Sequence, residues 1–156
     1  MLDLLSAAQT PAMGVDIDPD MVALCRAKGH RVEHIDALQF LRDQGEQSLH
    51  DVFSAQVIEH LTFEQLKAFL TLCRSRLQPG GTLIVETVNP HALEAFKTFY
   101  TDLTHQRPIF PEVALALTQL AGFDRAHVVF PLGTGTVTEN RQSQGEYAVV
   151  ATVADE

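Results

Sequence analysis

The stretch 82–88 (TLIVETV) constrains the fold most, because it is an almost continuous apolar run entered through Pro79-Gly80-Gly81. A strand with one wet face alternates apolar and polar residues, whereas a strand covered on both faces need not. Such a strand demands helices above and below it, and the chain supplies them. Leu66, Phe69, Leu70, Cys73 and Leu77 recur at three- and four-residue spacing, the buried stripe of a helix that Thr62 and Gln65 open as a capping box.

The same alternation runs through the whole chain. Residues 11–16, 31–35 and 52–57 read as short strands, and 2–8, 37–44, 91–100 and 111–122 as helices. Another helix is opened by Asp18-Pro19-Asp20, which offers a cap, a proline suited to the first turn and an acid for the dipole. It stops at Gly29. Two late strands, 126–130 and 147–153, read as an antiparallel edge pair joined by a Gly/Thr/Gln-rich loop. Strand–helix alternation predicts an α/β, Rossmann-like, doubly wound sheet, mostly parallel, with ligands at the carboxyl ends of its strands.

Composition narrows the class. A chain of 156 residues with 46% hydrophobic content fits one domain, 1–156, with a sizeable core. A net charge of −9 argues against a nucleic-acid surface, so a small-molecule or saccharide partner is expected. No run approaches the roughly 20 apolar residues of a membrane span, and the N-terminus lacks a basic segment and long apolar run of a signal peptide. The expected location is cytoplasmic, with Cys25 and Cys73 as reduced core thiols. Without a CxxC, and with the seven histidines scattered, no metal site is expected.

Candidate chemistry falls where strands end. Asp16 ends a strand before a helix, where a carboxylate can accept hydrogen bonds from both ribose hydroxyls of a nucleoside; an ordinary loop carboxylate is the plainer alternative. Gln56 is polar at an apolar strand end and is expected to face a pocket. Glu59 and His60 follow it and either orient a ligand or tie the loop to the next helix. Glu86 and Asn89 lie at the end of the long apolar strand, bordering a substrate cavity. The loop 100–108 (YTDLTHQRP) concentrates polar groups: His105 suits a general base and Arg107 a bidentate clamp on phosphate or carboxylate. Alternatively, Asp102 and Thr104 make turn bonds while His105 and Arg107 are solvated. Gly133-Thr134-Gly135 imitates part of a phosphate loop but opens no helix, and is set aside.

Taken in order, GVDIDPDMVALC (14–25), IDALQF (35–40), SAQVIEHL (54–61) and LQPGGTLIVETVNP (77–90) resemble the class I S-adenosylmethionine-dependent methyltransferases. The resemblance implies S-adenosylmethionine as cofactor, with Asp16 on the ribose, Ile17 beside the adenine, Asp36 on the adenine amino group and the small Ala37 leaving room for the ring. It also implies that Glu59, His60 and Leu61 match a Glu-His-Leu triplet near the cofactor's methionine half. Through the loop 100–108, and over about residues 50–123, the chain is similar to methyltransferase modules linked to bacterial surface-polysaccharide (O-antigen) synthesis, which implies an oxygen acceptor on a saccharide or phosphate.

In that family a glycine-rich loop lies roughly 20 residues before the ribose acid, and only fifteen residues precede Asp16 here. The chain is therefore expected to lack the first strand and glycine loop, to bind cofactor weakly, and to leave strand edges that an upstream segment or a partner would complete. Two rivals stand beside this reading. One is a nicotinamide-dependent oxidoreductase domain, which Asp16 fits equally but which lacks a Tyr-x-x-x-Lys here; the other is a non-catalytic binding or assembly module.

Overall fold

Strands and helices alternate in the computed structural model, which describes residues 1–123, 125–130 and 141–155. The loop joining the late strands, with Gly133-Thr134-Gly135, lies outside them. The chain forms two compact units, Met1–Gln44 and Gly45–Glu156.

In the first unit, β1 (Gly14–Asp16) and β2 (Val32–His34) pair in parallel, with Asp16 opposite His34. Three helices accompany them: α1 (Leu2–Ala7), α2 (Pro19–Ala27) and α3 (Ala37–Asp43). The caps are those read from the sequence. Asp18 accepts from the Asp20 amide, and Asp36 accepts from the Gln39 amide; each satisfies an N–H that the first turn leaves unpaired. The core is small and consists of Val22, Val32, Leu38 and Leu41.

The second unit holds a four-stranded sheet in the order β3-β4-β6-β5, with β3 (Leu49–Ala55), β4 (Leu77–Val88), β5 (Arg125–Val129) and β6 (Glu146–Thr152). β3 and β4 are parallel; β6 runs antiparallel to both β4 and β5. The expected antiparallel pair is present, with β5 at the edge and β6 inside the sheet. α4 (Phe63–Arg76) begins with the predicted capping box, the Thr62 and Gln65 side chains each accepting from the other's amide. All five residues of its stripe and end are buried. α5 (Leu93–Phe99) and α6 (Pro111–Leu120) complete the unit.

Pro79-Gly80-Gly81 differs from the expected turn. β4 already begins at Leu77, opposite Leu49, and the register then shifts so that Asp51 faces Thr82. The glycines form a bulge inside the strand. Gly80 has φ +75, and a Cβ on Gly81 would sit 2.6 Å from the His50 carbonyl oxygen, so only glycine lets β3 and β4 close here.

Candidate functional site

Three polar side chains come together in the second unit. β3 ends at Ala55, Gln56 takes a left-handed φ of 54, and the chain makes a 3-10 turn over Ile58–His60. That turn drives Glu59 inward until it is 1% exposed. Glu59 Oε2 accepts a hydrogen bond from Thr87 Oγ1 on β4 at 2.8 Å, while Oε1, also buried, has no partner among the described residues.

The polar loop after α5 meets this turn. The Gln106 amide donates to the Glu59 carbonyl oxygen at 2.8 Å, pinning the two segments together. His60 Nδ1 lies 3.0 Å from Thr104 Oγ1, and that hydroxyl sits 2.6 Å from Asp102 Oδ1, to which it donates. With its hydrogen spent on Asp102, the Thr104 oxygen is left to accept from His60 Nδ1–H. His105 Nδ1 donates to the Phe99 carbonyl oxygen at 2.7 Å, and its ring stacks on Phe99 with centroids 4.4 Å apart. A carbonyl only accepts, so in the neutral ring Nδ1 carries the proton and Nε2 the lone pair. The same holds for His60. The two imidazoles are 4.6 Å apart between centroids, and one ligating atom from each of Glu59, His60 and His105 lies within 4.8 Å of the others.

The local electrostatics follow the bonding. The Thr104 hydroxyl and then its amide hold the Asp102 carboxyl below the usual range, helped by the two histidines. Burial, and next the neighbouring Glu146, push Glu86 up. Burial raises the Cys73 thiol to about 12; both cysteines are free.

The structure places the remaining candidates differently. Gln56 is exposed and its amide donates to Glu146 Oε1 at 3.2 Å. Asn89 is fully buried, with Nδ2 donating to the carbonyl oxygens of Arg141 and Gln144 and Oδ1 accepting from the His91 amide. Its polar atoms are thus committed to holding the chain around 141–144. Arg107 is exposed on the loop. The turn bonds weighed for Asp102 and Thr104 exist, but His105, whose side chain is 11% exposed, is not solvated. Sequence reasoning missed Thr87 and Phe99, which hold Glu59 and His105. Thr87 sits on the inward side of β4, and its polarity between buried Leu83, Val85 and Asn89 was the available signal.

In the first unit Asp16 ends β1 and Asp36 follows β2. Asp16 Oδ1 accepts from the Asp18 amide at 2.9 Å, and Asp36 serves as the α3 cap. Ile17, between Asp16 and the helix cap, is 69% exposed, and Ala37 opens α3. Among the described residues no helix is long and apolar enough to cross a membrane.

Comparison with known proteins adds to this geometry. A family described as a methyltransferase domain matches residues 1–85. A S-adenosylmethionine-dependent methyltransferase from Archaeoglobus fulgidus is similar in structure at TM-score 0.85 and 25% identity, over 97% of this chain and 80% of that one. Structures of S-adenosylmethionine-dependent methyltransferases from Thermotoga maritima and Mesorhizobium loti share the fold, both at TM-score 0.72 and 17% identity. The first spans 95% of this chain and 75% of its own, the second 96% and 84%. A search of curated protein sequences gave no match.

Proposed function

The chain belongs to the methyltransferase-domain family, and on that premise we propose that it transfers a methyl group from S-adenosylmethionine to an oxygen of a saccharide or phosphate acceptor, as in surface-polysaccharide synthesis. The residues of the first unit suit a nucleoside. Two carboxylates stand at the carboxyl ends of adjacent parallel strands, and a large apolar side chain lies exposed between Asp16 and the next helix. Asp16 holds the ribose hydroxyls, Asp36 the adenine amino group, Ile17 covers the ring and Ala37 leaves it room. Gln56 serves the methionine half. When bound, the sulfonium supplies an activated methyl group, and the protein's share is to position the acceptor.

That share falls to the second unit. His105 Nε2 takes the proton of an acceptor hydroxyl, Glu59 and His60 orient the acceptor, and Arg107 pairs with a phosphate where one is present. Glu86 borders the acceptor, and Asn89 shapes that border through the segment it ties down. The observation that carries this reading is the Phe99 carbonyl fixing the His105 tautomer, which leaves the proton-accepting lone pair on Nε2 of a ring clustered with the buried Glu59. Among the described residues β1 and β3 each have one hydrogen-bonded neighbour, and a strand from a partner can pair on the other edge of either. The reduced thiols suit a cytoplasmic setting.

The test is methyl transfer from labelled S-adenosylmethionine to saccharide and phosphosaccharide acceptors. His105→Ala is expected to lower kcat on a hydroxyl acceptor by about 10²–10⁴-fold with the fold intact. Unchanged turnover would end the base assignment, and no transfer by the unaltered chain to either class would remove the acceptor reading.

A further inference from the structure

We propose that Glu59, His60 and His105 are the protein ligands of a site for one first-row divalent cation, with Zn²⁺ the best match. Spacing along the sequence pointed away from any metal, since two of these residues are adjacent and the third lies far down the chain. The fold nevertheless brings one ligating atom from each within 4.8 Å of the others. Tetrahedral Zn²⁺ with bonds of about 2.1 Å sets neighbouring ligand atoms about 3.4 Å apart, so the cluster needs to close by up to about 1.4 Å.

The protonation pattern fits a ligand set. Both imidazoles donate through Nδ1, one to the Phe99 carbonyl oxygen and one to the Thr104 hydroxyl, which is itself held by Asp102. Both rings thereby keep their lone pair on Nε2, which no hydrogen bond among the described residues uses. Metal-bound histidines use their other ring nitrogen in this way, and such outer partners fix the ring and its tautomer. The second, independent observation is Glu59 itself. It is 1% exposed, and among the described residues its Oε1 accepts no hydrogen bond and no ion pair reaches it. A buried carboxylate is ordinarily paired or bound to a metal, because an isolated buried charge is costly. Asp102, half-exposed with Oδ2 3.7 Å from His105 Nε2, adds negative charge beside the cluster.

Two imidazoles and one carboxylate suit Zn²⁺, and three protein ligands leave a coordination position open. This inference goes beyond the methyl-transfer reading and does not depend on it. It does compete for one atom: with the ion seated, His105 Nε2 is a ligand and cannot be the proton acceptor.

The experiment is calorimetric titration of the chelator-treated chain with Zn²⁺ alone, without cofactor or acceptor. One ion per chain is expected. Glu59→Gln, His60→Ala and His105→Ala should each weaken binding by at least about 100-fold, and Thr87→Val, which removes only the Glu59 brace, by about 10-fold. His30→Ala and His127→Ala should change nothing. Circular dichroism checks each fold; should Glu59→Gln unfold, His105→Ala and Thr87→Val decide. No uptake of Zn²⁺, or uptake indifferent to the ligand substitutions, would overturn the proposal. Either result would leave methyl transfer standing, just as Zn²⁺ binding without methyl transfer would overturn only the latter.

Discussion

The two units handle their polar residues in opposite ways. In the first, Asp16 and Asp36 sit at strand ends and, among the described residues, accept from backbone amides two or three residues away, near an exposed Ile17. In the second, Glu59 is sealed inside and meets Thr87 from a different strand, while His60 and His105 take their partners from a loop and from the end of a helix. The first arrangement is local, and any residue able to cap a helix there would leave the fold undisturbed. The second is tertiary: removing one member strands another. Chemistry in the first unit thus follows from position along the chain, and in the second from packing.

The contrast can be broken most visibly through the core. Phe69, on the buried face of α4 and 2% exposed, should lose about 3–5 kcal/mol of unfolding free energy on replacement by Ala. Ile17→Ala, at a 69% exposed position, should stay within about 0.5 kcal/mol. Equal losses in denaturant titrations would mean that the first unit's apolar surface is structural rather than reserved for a ligand. A middle-sized effect is expected from Asp16→Asn, which should weaken S-adenosylhomocysteine binding by about 10–100-fold, the worth of hydrogen bonds to a charged group, without moving the thermal midpoint. A fall in stability without a fall in affinity would make Asp16 a loop residue only.

The smallest effect separates the units by acid. Hydrogen bonds from Lys28, then from His30, hold the exposed Asp3 carboxyl down to about 2. A depressed carboxylate stabilises the folded state fully above its unfolded pKa near 3.8 and loses that contribution as pH falls toward 2. Amide-exchange protection in the first unit, taken relative to the intrinsic rate at each pH, should therefore fall over that window, and Asp3→Asn should flatten the dependence. The change should be slight, because the pair is solvent-exposed and screened.

These differences also explain what the sequence disclosed. The Thr62–Gln65 capping box, the Asp18 and Asp36 caps and the α4 stripe were legible because each is set by neighbours within one or two helical turns. The order of strands and helices was legible for the same reason, as was the antiparallel relation of β5 and β6. The bulge at Gly80 and Gly81 was read as a simple turn, since only the register against β3 reveals that the strand begins at Leu77. The grouping of Glu59, His60 and His105 was out of reach, because it depends on Gln106 reaching the Glu59 carbonyl across the fold. So was the full commitment of Asn89, whose Nδ2 partners lie more than fifty residues ahead.

β6 lies between β4 and β5, yet it is the last strand in chain order. During synthesis, β4 emerges with one side of its ladder open and waits for Glu146–Thr152 before that side closes. At ribosomal rates of about 5–20 residues per second, the wait lasts about 3–12 s. Until then Leu83 and Val85 have no β6 neighbour, and a ribosome stalled anywhere in that interval displays an unfinished apolar sheet. The first unit has no such delay, since β2 follows β1 within one helix. The chain's exposure to chaperones is thus written into the place of a single strand.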